Sequence, residues 1–190
     1  MRRALVTLAA TVVVAAWLSP VQAATASPDS SLDAPTMASS MSNATVRAIT
    51  PRTTATGGKG QRLTVTPTSG LSAYGQTVKV SGRGFSELVG IYVGLCVMPR
   101  PGAKPTPCGG GIDQDGSSQA SAWISSNPPP YGSNLAIPYK RGGKFSVRIK
   151  VSPRIGSYDC RVVRCAVVAR ADHMRANDRT WDIAVPVTFR

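Results

Sequence analysis

Apolar and polar side chains alternate with a period of two along much of the chain after residue 60. The clearest example is the run 144–151, in which every second side chain is apolar. A period of two predicts a β-strand that buries one face. Similar or nearly continuous apolar runs predict further strands at 62–66, 77–81, 89–97, 162–171 and 183–189, with 118–125 as the weakest candidate. No segment of this region has the apolar stripe of an amphipathic helix.

Glycine, proline and serine separate these predicted strands. Six or seven short strands divided by such turns predict an all-β fold, an antiparallel sandwich of two sheets. Pro186 interrupts the last strand and has no amide hydrogen to donate. We therefore expect Pro186 on a sheet edge, or facing outward at a bulge.

Residues 109–143 are the exception to this regular pattern, because glycine and proline runs break them into a long loop excursion. Long loops in compact domains are typically functional or mobile. Trp123, Tyr131 and Tyr139 lie in this excursion and are our candidate ligand contacts, since aromatic rings suit recognition. The alternative is that Trp123 and Tyr131 close one end of the sandwich.

Four cysteines form two closely spaced pairs, Cys96 with Cys108 and Cys160 with Cys165. Each pair lies within reach of a single hairpin or turn, so we predict two local disulfides among the three pairings that four cysteines permit. The alternative is a zinc site built from all four thiolates. We disfavour it because the chain has no CxxC and its one histidine is His173. No metal and no cofactor is predicted.

The N-terminus has the pattern of an export signal: two arginines, an apolar stretch at 4–18 and a small-x-small cleavage site at 21–23. We predict a signal peptide at 1–23, a disordered Ala/Ser/Thr/Pro-rich leader at 24–60 and the sandwich domain at 61–190. A retained anchor is the alternative, but the apolar stretch is short for a bilayer span. The prediction is a secreted or cell-wall-associated protein with no stable membrane span after signal cleavage.

Positive charge dominates, with 22 Lys and Arg against 9 Asp and Glu, a net charge of +13. Such an excess favours anionic partners, of which a cell-envelope polymer is the most available outside the cell, and it predicts weak non-specific nucleic-acid binding. Lys144, Arg148 and Lys150 share the polar side of one predicted strand and are the candidate polyanion contacts. The alternative is a solvated basic surface that only keeps the protein soluble.

Several segments resemble the neocarzinostatin-type (enediyne apoprotein-like) family. Residues 64–72 and 78–82 resemble its first two strands, and 92–96 resembles the segment that leads into its first cysteine. Tyr158-Asp159-Cys160, Cys165 and the closing strand resemble its end. The resemblance covers about half of the predicted domain and implies an immunoglobulin-like β-sandwich of about seven strands with two local disulfides.

The resemblance also implies a cleft that carries an enediyne antibiotic and delivers it to DNA. Here the family's pocket aromatic after the first cysteine is missing, because Val97, Met98 and Pro99 follow Cys96. Ala166 replaces its polar pocket residue, and the segment before Cys160 is too short for its aromatic-bearing arm. No ligand-binding residue is therefore carried over from the family.

The segment 170–179, with 123–127, resembles secreted proteins found with haem-uptake surface proteins. His173 or a tyrosine would be the iron ligand in that case. The alternative is that His173 is an ordinary turn residue. We expect Asp172 and Asp178 to pair with neighbouring arginines or to hold the turn through bonds to the backbone.

No catalytic arrangement is evident. His173 has no well-placed carboxylate to orient it, and Asp113, Asp115 and Glu87 are the conceivable carboxylates for glycoside cleavage. The prediction is a secreted, non-enzymatic binding module whose ligand is an unknown small molecule or an anionic cell-envelope polymer. The alternatives are a carrier of a small apolar ligand with delivery to DNA, and an accessory protein in extracellular haem uptake.

Overall fold

Two four-stranded antiparallel sheets pack against each other in the computed structural model, which describes residues 50–110 and 116–190. The first sheet has the order β1-β2-β3-β6. Its strands are β1 (Thr53–Thr56), β2 (Arg62–Thr66), β3 (Gln76–Arg83) and β6 (Phe145–Val151). The prediction of an all-β antiparallel sandwich is confirmed.

The second sheet has the order β10-β9-β4-β5. Its strands are β4 (Ile91–Val97), β5 (Ser121–Ile124), β9 (Cys165–Ala171) and β10 (Ile183–Val187). A separate two-stranded ribbon joins β7 (Arg154–Ile155) to β8 (Tyr158–Asp159), and 3-10 turns lie at Pro130–Gly132 and His173–Arg175. Pro186 is exposed on β10, an edge strand, as predicted.

The core lies between the two sheets and is built from the alternating positions of their strands. Strand β6 is the plainest case, because its buried and exposed residues alternate without a break. The fully buried core side chains include Leu63, Val65, Val78, Val80, Ile91, Val93, Ile124, Ile149, Val167 and Val185. Each such side chain contributes about 1.5–3 kcal/mol relative to full exposure.

Both predicted disulfides are present. Cys96 is bonded to Cys108, which ties the loop after β4 back to that strand, and Cys160 is bonded to Cys165 at the start of β9. None of the four cysteines is free. The two-disulfide prediction is confirmed, and the pairing leaves no thiolate for the zinc alternative.

Strand β1 corrects one boundary of the sequence analysis, which placed 53–56 in the disordered leader. The structure pairs β1 with β2, with Thr54 opposite Thr64 and Ala55 opposite Leu63. Ala55 packs against the core, while the other three residues of β1 are exposed. Because β1 has one small apolar residue among three threonines, its sequence lacks the alternation of apolar and polar positions that would predict a strand. The predicted signal peptide and the leader up to residue 49 lie outside the described residues.

Within the described ranges, no helix is long and apolar enough to cross a membrane.

Candidate functional site

The outer face of the second sheet carries aromatic, charged and small apolar side chains. Strand pairing arranges its outward positions in rows across the sheet. Trp123, Tyr92 and Arg170 form one row, and Gly94, Val168 and Ala184 form the next. Cys96 and Ala166 follow beyond them. The face therefore changes from aromatic at one end to small and apolar at the other.

At the small apolar end, Val168 and Ala184 line the floor of a cleft. Cys96, Ala166 and Val168 are buried there as a cluster separate from the core, with Met98, Cys108 and Ala184 packed against them. The loop 98–105, which contains three prolines, turns over this cluster as a wall. The cleft has a volume of about 320 Å³. Small floor residues give it its depth, because they leave the space that larger side chains would fill.

An ion pair forms the opposite wall of the cleft. Arg179 Nη1 donates to Asp182 Oδ2 at 3.0 Å, and Arg179 Nη2 donates to the Ala176 carbonyl at 2.6 Å. Burial raises the pKa of Asp182, although Arg179 and Arg170 act in the opposite direction. Burial also lowers the pKa of Arg170, and Arg179 adds to that effect. The cleft is thus apolar at its floor and charged along one side.

At the aromatic end, two tyrosine hydroxyls hold the ring of His173. Tyr92 Oη lies 2.5 Å from His173 Nδ1, and Tyr131 Oη lies 2.6 Å from His173 Nε2. In a neutral imidazole one ring nitrogen donates and the other accepts, so the two hydroxyls take opposite roles. Tyr131 is 70% exposed, which places this arrangement at the surface.

Asp172 fixes the turn that carries His173. Its Oδ1 accepts from the Met174 amide and its Oδ2 accepts from Trp123 Nε1, each at 3.0 Å. Asp172 is only 3% exposed, and Gly90 makes room for it, since a Cβ on that glycine would lie 1.9 Å from Oδ2. Asp172 holds its turn through the backbone, and it binds an indole rather than an arginine.

Trp123 and Tyr92 are both partly removed from solvent at this end of the sheet. The 3-10 turn Pro130–Gly132 covers the indole, because a Cβ on Gly132 would lie 2.2 Å from the Trp123 ring. Burial raises the pKa of Tyr92 to about 12, with smaller contributions from Asp172 and Tyr131. The Arg170 guanidinium carbon lies 6.0 Å from the centre of the Tyr92 ring.

The four predicted ligand contacts, which are Trp123, Tyr131, Tyr139 and His173, do not all lie together in the structure. It brings Trp123, Tyr131 and His173 together, but it places Tyr139 in the core. The Tyr139 ring packs against Phe85 and Phe145, and its hydroxyl donates to the Val89 carbonyl. Tyr139 is therefore a core residue, because its polar tip has a buried partner and its ring has apolar neighbours.

The position of Trp123 also differs from the alternative in which its ring closes one end of the sandwich. Trp123 faces outward from the second sheet and is 9% exposed because a turn covers it, so it does not close an end of the sandwich. Sequence reasoning missed Tyr92. The available signal was a tyrosine within an otherwise apolar run, because the hydroxyl of such a tyrosine usually has a polar partner.

The remaining candidates lie elsewhere. Lys144, Arg148 and Lys150 are exposed at the outer face of the first sheet. Glu87 Oε1 accepts from the Gly142 and Gly143 amides and so holds a turn. Asp113 and Asp115 lie outside the described residues. Within the described chain, no three His, Cys, Asp or Glu side chains are grouped in a way that could hold a metal ion.

Comparison with known proteins identifies the type of domain. A model of the neocarzinostatin family matches residues 63–189. A solved structure of macromomycin is 25% identical, covers 68% of this chain and 99% of its own, and aligns with a TM-score of 0.44. No curated protein matches the chain. The segment matched by the family contains every strand of the two sheets except β1 and the first residue of β2, Arg62.

Proposed function

Because the chain belongs to the neocarzinostatin family, we propose that it is a secreted, non-enzymatic binding protein that holds a small, mainly apolar ligand. The ligand occupies the cleft between the loop 98–105 and the outer face of the second sheet. Family membership and the sandwich with two disulfides support a binding role. The disulfides and the N-terminal sequence pattern support export.

The observation that carries the proposal is the cleft itself. Its volume of about 320 Å³ falls in the range of small-molecule sites, which is roughly 300–1,000 Å³. Val168 and Ala184 line its floor, and its wall is rich in proline. A rigid wall and small floor residues lower the entropy that would be lost on binding. Apolar contact supplies most of the affinity in such a site.

The ligand differs from an enediyne held in the family's manner. Val97, Met98 and Pro99 follow Cys96, where the family has its pocket aromatic, and Met98 lines the cleft. A methionine adapts its shape to irregular apolar groups. The Arg179–Asp182 pair supplies the polar contact on the charged side of the cleft. The proposed ligand is thus an apolar molecule with one polar end.

The described polar side chains support a role without catalysis. Both ring nitrogens of His173 are engaged by tyrosines, and Asp172 accepts from an amide and an indole. Glu87 holds two glycine amides of a turn. These groups are committed to structure, whereas a nucleophile or a general base needs to reach a substrate.

A neutral apolar dye, Nile red, tests the cleft. Ala184→Phe fills the floor from an outward position of β10, and we expect at least a tenfold loss of dye affinity in a fluorescence titration. The matched control is Thr77→Phe, an exposed position of β3 on the other sheet. Equal affinity in wild type and Ala184→Phe would place the dye outside the cleft and contradict the proposal.

Haem contact at the aromatic end is the second candidate function. The exposed Tyr131 hydroxyl and His173 favour it, because both side-chain types ligate haem iron. Iron would have to replace one of the tyrosine hydrogen bonds to His173. Haemin titration, monitored at the Soret band, tests this candidate. Haem contact at this end requires that Tyr131→Phe or His173→Ala change the spectrum.

A further inference from the structure

The outer face of the first sheet, on the side of the sandwich opposite the cleft, carries a continuous set of cations. We call this surface the basic face. Its cations stand at outward positions of β2, β3 and β6 and directly before β6, and all are exposed: Arg62, Lys79, Arg83, Lys144, Arg148 and Lys150. The three cations on and beside β6 are evident from the sequence pattern, and strand pairing adds the other three.

Strand pairing places like charges directly opposite each other. Arg62 is paired with Arg83 between β2 and β3, and Lys79 is paired with Arg148 between β3 and β6. Like charges in such cross-strand positions destabilise a sheet. The fold therefore retains two unfavourable pairs on one surface, and a bound anion would relieve both.

Glu87 lies beside one end of the basic face, where it accepts from the Gly142 and Gly143 amides, but in the described chain the protein forms no ion pair with these cations. Its three ion pairs there join Arg154 and Arg161 to Asp159, and Arg179 to Asp182. None of them involves the basic face. The other outward positions of β1, β2, β3 and β6 hold threonine and serine, which can donate hydrogen bonds to an anion.

One end of the basic face is a basin. Arg62, Arg83 and Lys144 surround it, and Gly60, Gly84 and Gly142 complete its lining, with a volume of about 350 Å³. These three glycines have positive φ, a conformation that disfavours larger residues. Because they carry no side chains, an anionic group can approach the three cations.

We propose that the basic face binds a linear, base-free phosphate polymer, with one phosphate in the basin and the chain running over Lys79, Arg148 and Lys150. Neighbouring cations on a sheet are about 5 Å apart across strands and about 7 Å apart along one. That spacing suits successive charges of an extended chain. The inference does not depend on the ligand of the cleft.

The side chains of the basic face favour this polymer over other polyanions. Its outward strand positions hold no aromatic ring on which nucleic-acid bases could stack. They also hold no large apolar side chain that could enter a membrane. Recognition by charge and hydroxyl groups alone fits phosphates that carry no base and no acyl chain.

Inorganic polyphosphate is the probe, titrated against the whole protein at several salt concentrations. Six phosphate contacts give a slope of about −4 for log affinity against log salt, which is about a 300-fold loss between 50 and 200 mM. The triple variant Lys79→Gln, Arg83→Gln, Arg148→Gln keeps three contacts, so its slope should be only about −2. That slope corresponds to about a 20-fold loss of affinity over the same salt range. The variant removes both members of the Lys79–Arg148 pair and one member of the Arg62–Arg83 pair, so its melting temperature should equal or exceed that of wild type.

The control variant Lys104→Gln, Arg164→Gln, Arg175→Gln removes the same charge from exposed positions outside the basic face. We expect its slope to stay close to −4. Equal losses in the two variants would show that net charge alone binds the polymer and would overturn the proposal. Tenfold tighter binding of single-stranded DNA of equal charge, or of vesicles containing phosphatidylglycerol, would overturn the choice of partner.

Discussion

Asp172 connects two parts of the molecule through its two carboxylate oxygens. One oxygen holds the turn that carries His173, and the other holds the indole of Trp123 on β5. The sequence predicted the first of these contacts, because a short acidic side chain at the beginning of a turn commonly binds the backbone. It could not predict the second, because Trp123 is 49 residues away and only the fold brings it near.

Replacing Asp172 should be costly. Asp172→Ala leaves a buried indole N–H and a turn amide without partners, and hydrogen bonds to a charged group contribute about 1.5–3 kcal/mol each. We expect a loss of about 2–4 kcal/mol in the free energy of unfolding, measured by urea denaturation. The control is Asp178→Ala, whose contacts with Thr180 are exposed, and it should cost less than about 1 kcal/mol. Equal costs would refute the linking role of Asp172.

Tyr92 should make the fold sensitive to alkali. Because burial raises the pKa of Tyr92 to about 12, the folded state favours the neutral hydroxyl. Its contribution to stability is therefore complete below pH 10 and is lost as the pH rises towards 12. Tyr92→Phe should remove one late-ionising phenol from an absorbance titration at 295 nm and flatten the fall of melting temperature between pH 10 and 12. An unchanged titration curve in the variant would contradict this assignment.

At the scale of elements, the strands that bury one face could be predicted and those that bury almost nothing could not. Strand β6 alternates because each inward residue enters the core, so its pattern is visible in the sequence. Strand β1 is three threonines and an alanine, and only its pairing with β2 defines it. The outward row of Trp123 and Tyr92 escaped prediction for the same reason, since a row depends on register between strands.

Two neighbouring substitutions test the placement of β1. Ala55 packs against the core, and Thr54 points away from it. Ala55→Asp should destabilise the protein by about 1–3 kcal/mol, because a carboxylate would be brought against apolar side chains without a partner. Thr54→Asp should change the free energy of unfolding by about 0.5 kcal/mol or less. Equal effects in thermal denaturation would contradict this register of β1.

At the scale of the whole molecule, the sandwich presents two unlike outer faces. The second sheet offers a cleft with an apolar floor, and the first sheet offers six exposed cations. The core between them keeps the faces apart, so ligand binding and attachment to a polymer need not compete. The sequence predicted the fold and the charge, but the floor of the cleft depends on Val168 of β9 and Ala184 of β10, which meet only across strands.

Native mass spectrometry of the protein, purified under mild conditions from its own host, tests the central claim most directly. The claim is that a small apolar molecule occupies the cleft. We expect wild type to carry an additional mass of one small organic molecule, and Ala184→Phe, expressed and purified in the same way, to lose it while remaining folded. A bare wild-type protein, or the same additional mass on the filled-cleft variant, would contradict the account.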